Sequence, residues 1–238
     1  MAAGERRLRI LGLLSGSGDT ELCTRRMCEV CARVTRMSGA GIMLMSGDVP
    51  QGSLCTTNTV SDLIEQLQYG LGEGPCVDAY LLDWPVLEPD LASPKSSRWP
   101  AFSPQAIDAG VRAVFGFPLQ IGSVRLGALN LYRDQPGPLT DDQHADALVL
   151  ADLVGQSVLL LQADAPPGAL AAELETGADL HYTLHQASGM VSVQLGVSVA
   201  EALIRLRAYA FANERPLVDV AESVVARTLR FCAAGDEG

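Results

Sequence analysis

The stretch "VRAVFGFPLQIGSVRLGALNLYR", from Val111 to Arg133, reads as two adjacent strands joined at Gly122 and Ser123. A two-residue, glycine-containing connection between such runs favours an antiparallel hairpin. Working outward, Thr20 to Met37 carries Leu22, Met27, Val30 and Val34 at helical spacing. "GAGIMLMSGD" and "GSLCTTN" read as short strands, and "VSDLIEQLQYG" as a helix that stops at Gly70. A long loop over 70–100 precedes a helix near Ala101 to Ala109. The order α-β-β-α-α-β-β-α predicts an α+β fold, an antiparallel sheet with flanking helices.

The chain has 238 residues, enough for one core-bearing domain of about 150 residues and a smaller appendage. It is 48% hydrophobic and 19% charged, a globular composition. No apolar run reaches the roughly 18 to 20 residues of a bilayer span; the densest, Ala147 to Leu161, is interrupted by Asp152, Gly155 and Gln156. "MAAGERRLRI" lacks an apolar signal-peptide core. The expectation is a cytoplasmic protein without a membrane partner.

The first 162 residues resemble a GAF domain, the small-molecule sensor module of many bacterial regulators, in their order of elements and locally in "GEGPC" and "FPLQIGSVRLGALNLY". The resemblance implies a concave pocket on one sheet face, roofed by the long loop and short helices. Such pockets are mostly apolar with a few polar groups. It identifies neither the ligand nor the side chains that would bind it.

Thr140, followed by Asp141 and Asp142, caps a helix expected to run to about Gln162. "DAPPG" breaks it, because proline cannot continue a helix. A second helix follows over 169–195, with Leu170, Leu174, Leu184, Val191 and Leu195 as its apolar positions. Residues 163–184 are therefore read as a coiled-coil connector that pairs with a second copy, predicting a homodimer.

The net charge of −11 is unevenly spread. Residues 1–184 hold 12 basic residues against 22 acidic ones, whereas His185 to Cys232 holds five arginines against four acids. Only this last quarter is relieved of the acidity, as a surface facing phosphates requires. Gly196 suits a left-handed helix end, and Ser198 with Glu201 forms an S-x-x-E capping box. The next helix places Ala202, Leu203, Leu206, Ala210 and Phe211 on its core side. Pro216 starts a third, Leu217 to Phe231, burying Leu217, Val220, Ala221, Val224, Val225, Leu229 and Phe231. Three short helices predict a compact bundle over 185–238 with a short disordered tail.

The 47 residues from His185 to Phe231 resemble the ANTAR domain, the RNA-binding output module of bacterial transcription antiterminators. The matching positions are Ala187, Gly189 and Met190; Glu201, Ala202, Leu206 and Arg207; Asn213, Arg215 and Leu217; Val220 and Ala221. Ser188 departs from the lysine common in the family. The resemblance implies a dimer that binds paired hexaloop hairpins in nascent RNA and prevents an overlapping terminator from forming. Unpaired loop bases are read by hydrogen bonds and stacking. On that reading Ala187, Ser188 and Gly189 permit close approach, while Gln186, Gln194, Arg205, Arg207, Asn213 and Arg215 supply donors.

Structural roles compete at these positions: Gly189 as a packing glycine, Arg207 paired with Glu201 or Glu214, Asn213 as a helix cap. The same helices also suit a DNA-binding helix-turn-helix. A further alternative makes Cys76 a redox-active thiol of a GAF-type enzyme. Cys23, Cys28 and Cys31 share the spacing of one iron–sulfur class, but they lie on the apolar side of a predicted helix and read as buried, reduced thiols. His181 and His185 stand one turn apart with Tyr182 where a zinc-protease motif needs glutamate. "GLGEGP" follows a helix, so it is no dinucleotide fingerprint. No catalytic residue, metal or cofactor is assigned.

Overall fold

The computed structural model describes residues 3–15, 20–46, 49–93, 98–164, 179–213 and 215–232. They divide into two units, Met1–Leu170 and Ala171–Gly238. In chain order the first unit comprises α1 (Ala3–Leu14), α2 (Thr20–Thr35), β1 (Gly39–Ser46), β2 (Val49–Thr56), α3 (Thr59–Leu71) and α4 (Pro75–Leu82). It continues with β3 (Val86–Glu88), α5 (Phe102–Asp108), β4 (Ala113–Ile121), β5 (Val124–Arg133) and α6 (Asp141–Asp164). The five strands form one antiparallel sheet in the order β2-β1-β5-β4-β3.

The hairpin forms as expected. Ile121 pairs with Val124 across a two-residue turn in which Gly122 takes φ 61, the glycine-first arrangement that matches strand twist. Successive strand residues point to opposite faces, so β4 and β5 serve two layers. On one face Val114 and Tyr132 join Ile64, Ala79, Trp99 and Phe102 of the α3–α5 side in a buried core. On the other, Phe117 meets the His144 ring of α6 edge-on at 5.7 Å. α6 starts at a reciprocal cap in which Gln143 N donates to Thr140 Oγ1 and Thr140 N donates to Gln143 Oε1. Its Leu150, Val154 and Val158 are fully buried. By length and composition Asp141–Leu161 could cross a membrane, contrary to the reading of the sequence, and in this fold it is a core helix.

Three further expectations need correction. α1 was not anticipated; it is held to α6 by Arg6 on Asp142 and Asp146, Arg7 on Asp152, and Arg9 on Asp146. The stretch 70–100 is not one loop, for it contains α4 and β3. Pro75 pre-sets the first turn of α4, but a helix this short and this apolar carries no periodic signal. Finally, Cys28 is disulfide-linked to Cys55 on β2, a pairing that spacing along α2 could not disclose. Cys31 is a buried free thiol whose pKa burial pushes up to about 12. The side chain of Cys23 lies outside the described residues.

The second unit contains α7 (Asp179–Leu195), α8 (Val199–Ala212) and α9 (Leu217–Val225). Leu184, Ala187, Val191, Ala202, Leu203, Leu206, Ala210, Val220, Ala221 and Val224 are buried. Gly196 adopts φ 65 after α7, with Val197 N donating to Ser192 O. Ser198 Oγ accepts from Glu201 N at 3.2 Å, while the Glu201 carboxylate turns to Arg205 instead of completing a capping box. Three further expectations fail: α9 ends at Val225, with Arg227 at φ 61, Phe211 is 72% exposed, and Leu217, Val225, Leu229 and Phe231 are half-buried instead of buried. Most of the proposed connector, 165–178, and the tail 233–238 lie outside the described residues.

Candidate functional site

In the sheet unit the site begins with one polar residue in an apolar strand. Asn130 of β5 is opposite Gly41 of β1 and Gly116 of β4, so all three share one face. The two glycines clear space there. A Cβ on Gly41 would stand 2.4 Å from Glu65 Oε1, and one on Gly116 would stand 2.3 Å from the carbonyl oxygen of Pro75. α3 therefore lowers Glu65 onto the sheet, and the N-terminal backbone of α4 comes down beside it.

The polar groups brought together are deeply buried: Glu65 is 2% exposed, Gln68 0%, Cys76 1% and Asn130 1%. Asn130 Nδ2 donates to Glu65 Oε1 at 3.2 Å, and Cys76 N donates to Gln68 Oε1 at 2.7 Å. These bonds fix the orientation of both amides. They leave Glu65 Oε2, Gln68 Nε2 and Asn130 Oδ1 without a hydrogen-bond partner among the described residues. Burial pushes the Glu65 carboxyl up to about 8, against the lowering effect of the Asn130 bond, and Asp62 adds to the rise. The site thus presents an amide N–H, a carbonyl and a carboxyl that favours its proton. Buried polar groups without partners are costly, so this cluster is the ligand-recognition candidate of the sheet unit.

Residues around the cluster position it. Gly72 closes α3 in the left-handed conformation, and Gly74, at φ 136, fits against the Gln68 side chain. Glu73 Oε1 accepts from Ala101 N and Phe102 N, holding the start of α5. "GLGEGP" is thus the joint of three helices. Cys76 is buried, and burial together with the charge of Glu65 pushes its thiol well above the ordinary range. A thiolate is disfavoured there, which argues against the redox-thiol alternative.

Glu65, Gln68 and Asn130 escaped the reading of the sequence. Their signal is present in it: Ser61, Glu65 and Gln68 recur at helical spacing beside buried Ile64, and Asn130 interrupts "LGALNLY".

In the helical unit the proposed RNA-binding residues separate into three groups. Gln186, Arg205, Asn213 and Arg215 are exposed, and Gly189 and Arg207 are half-buried. Ala187 and Ser188 are buried, at 0% and 2% exposure, and Ser188 Oγ donates to Leu184 O at 2.7 Å. Their role is packing, and the expectation that they admit RNA is corrected. Gln194 also serves the fold, its Oε1 accepting from Phe231 N at 2.9 Å.

Of the competing structural roles, that of Asn213 fits: it ends α8 and its Nδ2 donates to Tyr209 O. Glu201 pairs with Arg205 at 2.9 Å, and Glu214, the other partner considered for Arg207, lies outside the described residues. Arg215 donates through Nη2 to Asp219 O and Ser223 Oγ. Among the described residues Gly189 has no packing role to explain it, since a Cβ there would meet nothing of them within 4 Å. Among the described residues no His, Cys, Asp and Glu grouping could hold a metal ion.

With this geometry in place, the GAF domain family matches residues 19–158. No protein of curated function matches the chain. Among solved structures, a GAF domain of an Acinetobacter phosphoenolpyruvate-protein phosphotransferase is similar at 14% identity and TM-score 0.52, over 68% of this chain and 98% of that one. The corresponding domain from Coxiella burnetii is similar at 12% identity and TM-score 0.51, over 68% and 95%. A domain of a two-component sensor histidine kinase protein from Sinorhizobium meliloti 1021 is similar at 17% identity and TM-score 0.50, over 62% and 96%. At these identities the likeness is one of fold.

Proposed function

The chain belongs to the GAF domain family, which implies a sensory or regulatory role, and from that premise we propose that its helical unit is the output: an ANTAR-type RNA-binding module. The protein is a cytoplasmic antitermination regulator that acts as a homodimer on paired hexaloop hairpins of nascent RNA. Its GAF domain senses a small molecule or a partner through the Glu65, Gln68 and Asn130 cluster. Two modest hairpin contacts become a strong one when a dimer links them. The protein is not an enzyme on this reading.

The observation that carries the RNA reading is Gly189. A glycine inside a helix costs about 0.5–1 kcal/mol relative to alanine, and here no neighbour requires it, because the space at its Cβ is open. A surface that keeps this glycine gains from close approach by another molecule. On the same helix Gln186 stands three residues away and is exposed, ready to reach a base edge.

Gly189→Ala tests this. It should stabilise the helical unit by about 0.5–1 kcal/mol in thermal melts while weakening binding to a dual-hairpin RNA in gel-shift titrations at fixed salt. A gain in stability with unchanged RNA affinity would contradict the reading. The helix-turn-helix alternative rests on the 102° angle between residues 183–195 and α8, which lies in the range of such motifs. It predicts preference for duplex DNA. Against it, α8 exposes Ile204 and Phe211, where a recognition helix would project polar groups.

A further inference from the structure

The unexplained feature of the helical unit is an aromatic ring on its surface. Phe211 is 72% exposed and Ile204, two turns earlier on α8, is 62% exposed, although Ala202, Leu203, Leu206 and Ala210 on the same helix are buried. Positions 204, 207, 208 and 211 share one helical face, so Phe211 belongs to a stripe that turns away from the bundle core.

The surroundings of the ring are specific. Ala208 and Ala212 beside it are small and exposed, which leaves the ring faces open. On α8 Arg205 is ion-paired with Glu201 at 2.9 Å, and Arg207 lies one turn before the ring on its own face, in a chain of net charge −11. Beyond them Asn213 and Arg215 are exposed, and among the described residues the Arg215 guanidinium donates to a backbone carbonyl and a hydroxyl. One flat apolar surface set among small residues, with positive charge around it, fits a planar group attached to an anionic backbone. A protein partner would be better served by a contiguous apolar groove.

We propose that Phe211 is the platform on which one unpaired base of the hairpin loop stacks, with Arg207 and Arg215, four residues to either side of it, drawing in the flanking phosphates. The proposal rests on the RNA-binding reading of this unit. Base–aromatic stacking tolerates any base, because every base has a π face; Phe211 then contributes affinity and orients the loop, and the bases adjoining the stacked one carry the sequence preference.

The test uses the full chain and a dual-hexaloop RNA in which 2-aminopurine replaces each loop base in turn. Binding of the wild type should change the fluorescence at one loop position. Phe211→Ala, at an exposed site, should keep the melting temperature, lower RNA affinity roughly 5- to 100-fold and abolish that fluorescence change. Phe211→Trp should restore both. If the wild type binds RNA and Phe211→Ala binds as tightly with the same fluorescence, the stacking role is overturned and the RNA reading stands. If the wild type does not bind the RNA, both fall. If Phe211→Ala leaves RNA binding intact but dissociates the protein in sedimentation velocity, the ring is a protein contact and the proposal is overturned.

Discussion

Glu65 is where sequence, burial and chemistry meet most sharply. It lies on α3 and reaches the sheet only because Gly41 has no side chain. It is buried with one oxygen bonded to Asn130 and the other unpartnered among the described residues. Its carboxyl, with an ordinary value of 4.5, is pushed up to about 8 by burial. In the unfolded chain the group therefore loses its proton at lower pH than in the folded one. The stability it contributes is fully present below about pH 4.5 and drains away as pH rises towards 8. Glu65→Gln mimics the protonated acid. Relative to wild type it should be near neutral at pH 4.5 and more stable by an amount on the order of a few kcal/mol at pH 8, read from denaturant unfolding at the two values. Parallel pH profiles would contradict the account of this residue. Its neighbour Asn130 shows why the site was hard to read in advance. A single polar residue in a strand has no partner in sequence; its meaning lies in Gly41 and Gly116, some 89 positions before and 14 before it, which only the strand register brings alongside.

At the scale of elements, α4 shows how closely backbone packs on the sheet. Its start sits over Gly116, held by the bond from Cys76 N to Gln68 Oε1. Gly116→Ala would drive a Cβ to within 2.3 Å of the Pro75 carbonyl oxygen. The start of α4 would have to lift, and unfolding should become easier by about 1–3 kcal/mol, measured as a lowered thermal midpoint. An unchanged midpoint would mean that α4 is not packed as described. Elements with a strong period or cap were legible in the sequence: the β4–β5 hairpin with its glycine turn, α2, α3, the Thr140 cap of α6 and the Gly196–Ser198 break between α7 and α8. α4 and β3 were hidden because eight and three residues are too few to display a period. Phe211 was misplaced for another physical reason. An apolar residue next to a core position is assigned to the core by default, and a helix that spends one on its surface breaks the pattern on which that assignment rests.

At the scale of the whole molecule, the two units answer different questions. The sheet unit is a GAF domain over residues 19–158, with a buried polar cluster suited to sensing. The helical unit carries the polar surface, the half-buried Gly189 and the exposed Phe211 through which the proposed output acts. The charge distribution along the chain foreshadowed that division, since the acidity is concentrated before residue 185. It could not show which face of each helix meets a partner, and Ala187 and Ser188, buried in the bundle, are the cost of inferring a surface from a motif. Binding paired hairpins requires two helical units held together, so affinity and stoichiometry should depend on both loops being present. The most direct measurement is a gel-shift titration of the full-length protein, at fixed salt, against a dual-hexaloop RNA, the same RNA with one hairpin deleted, and a duplex DNA of equal length. The account predicts tightest binding to the dual hairpin, with two protein chains per RNA. Equal affinity for the single hairpin, or preference for the duplex DNA, would contradict it.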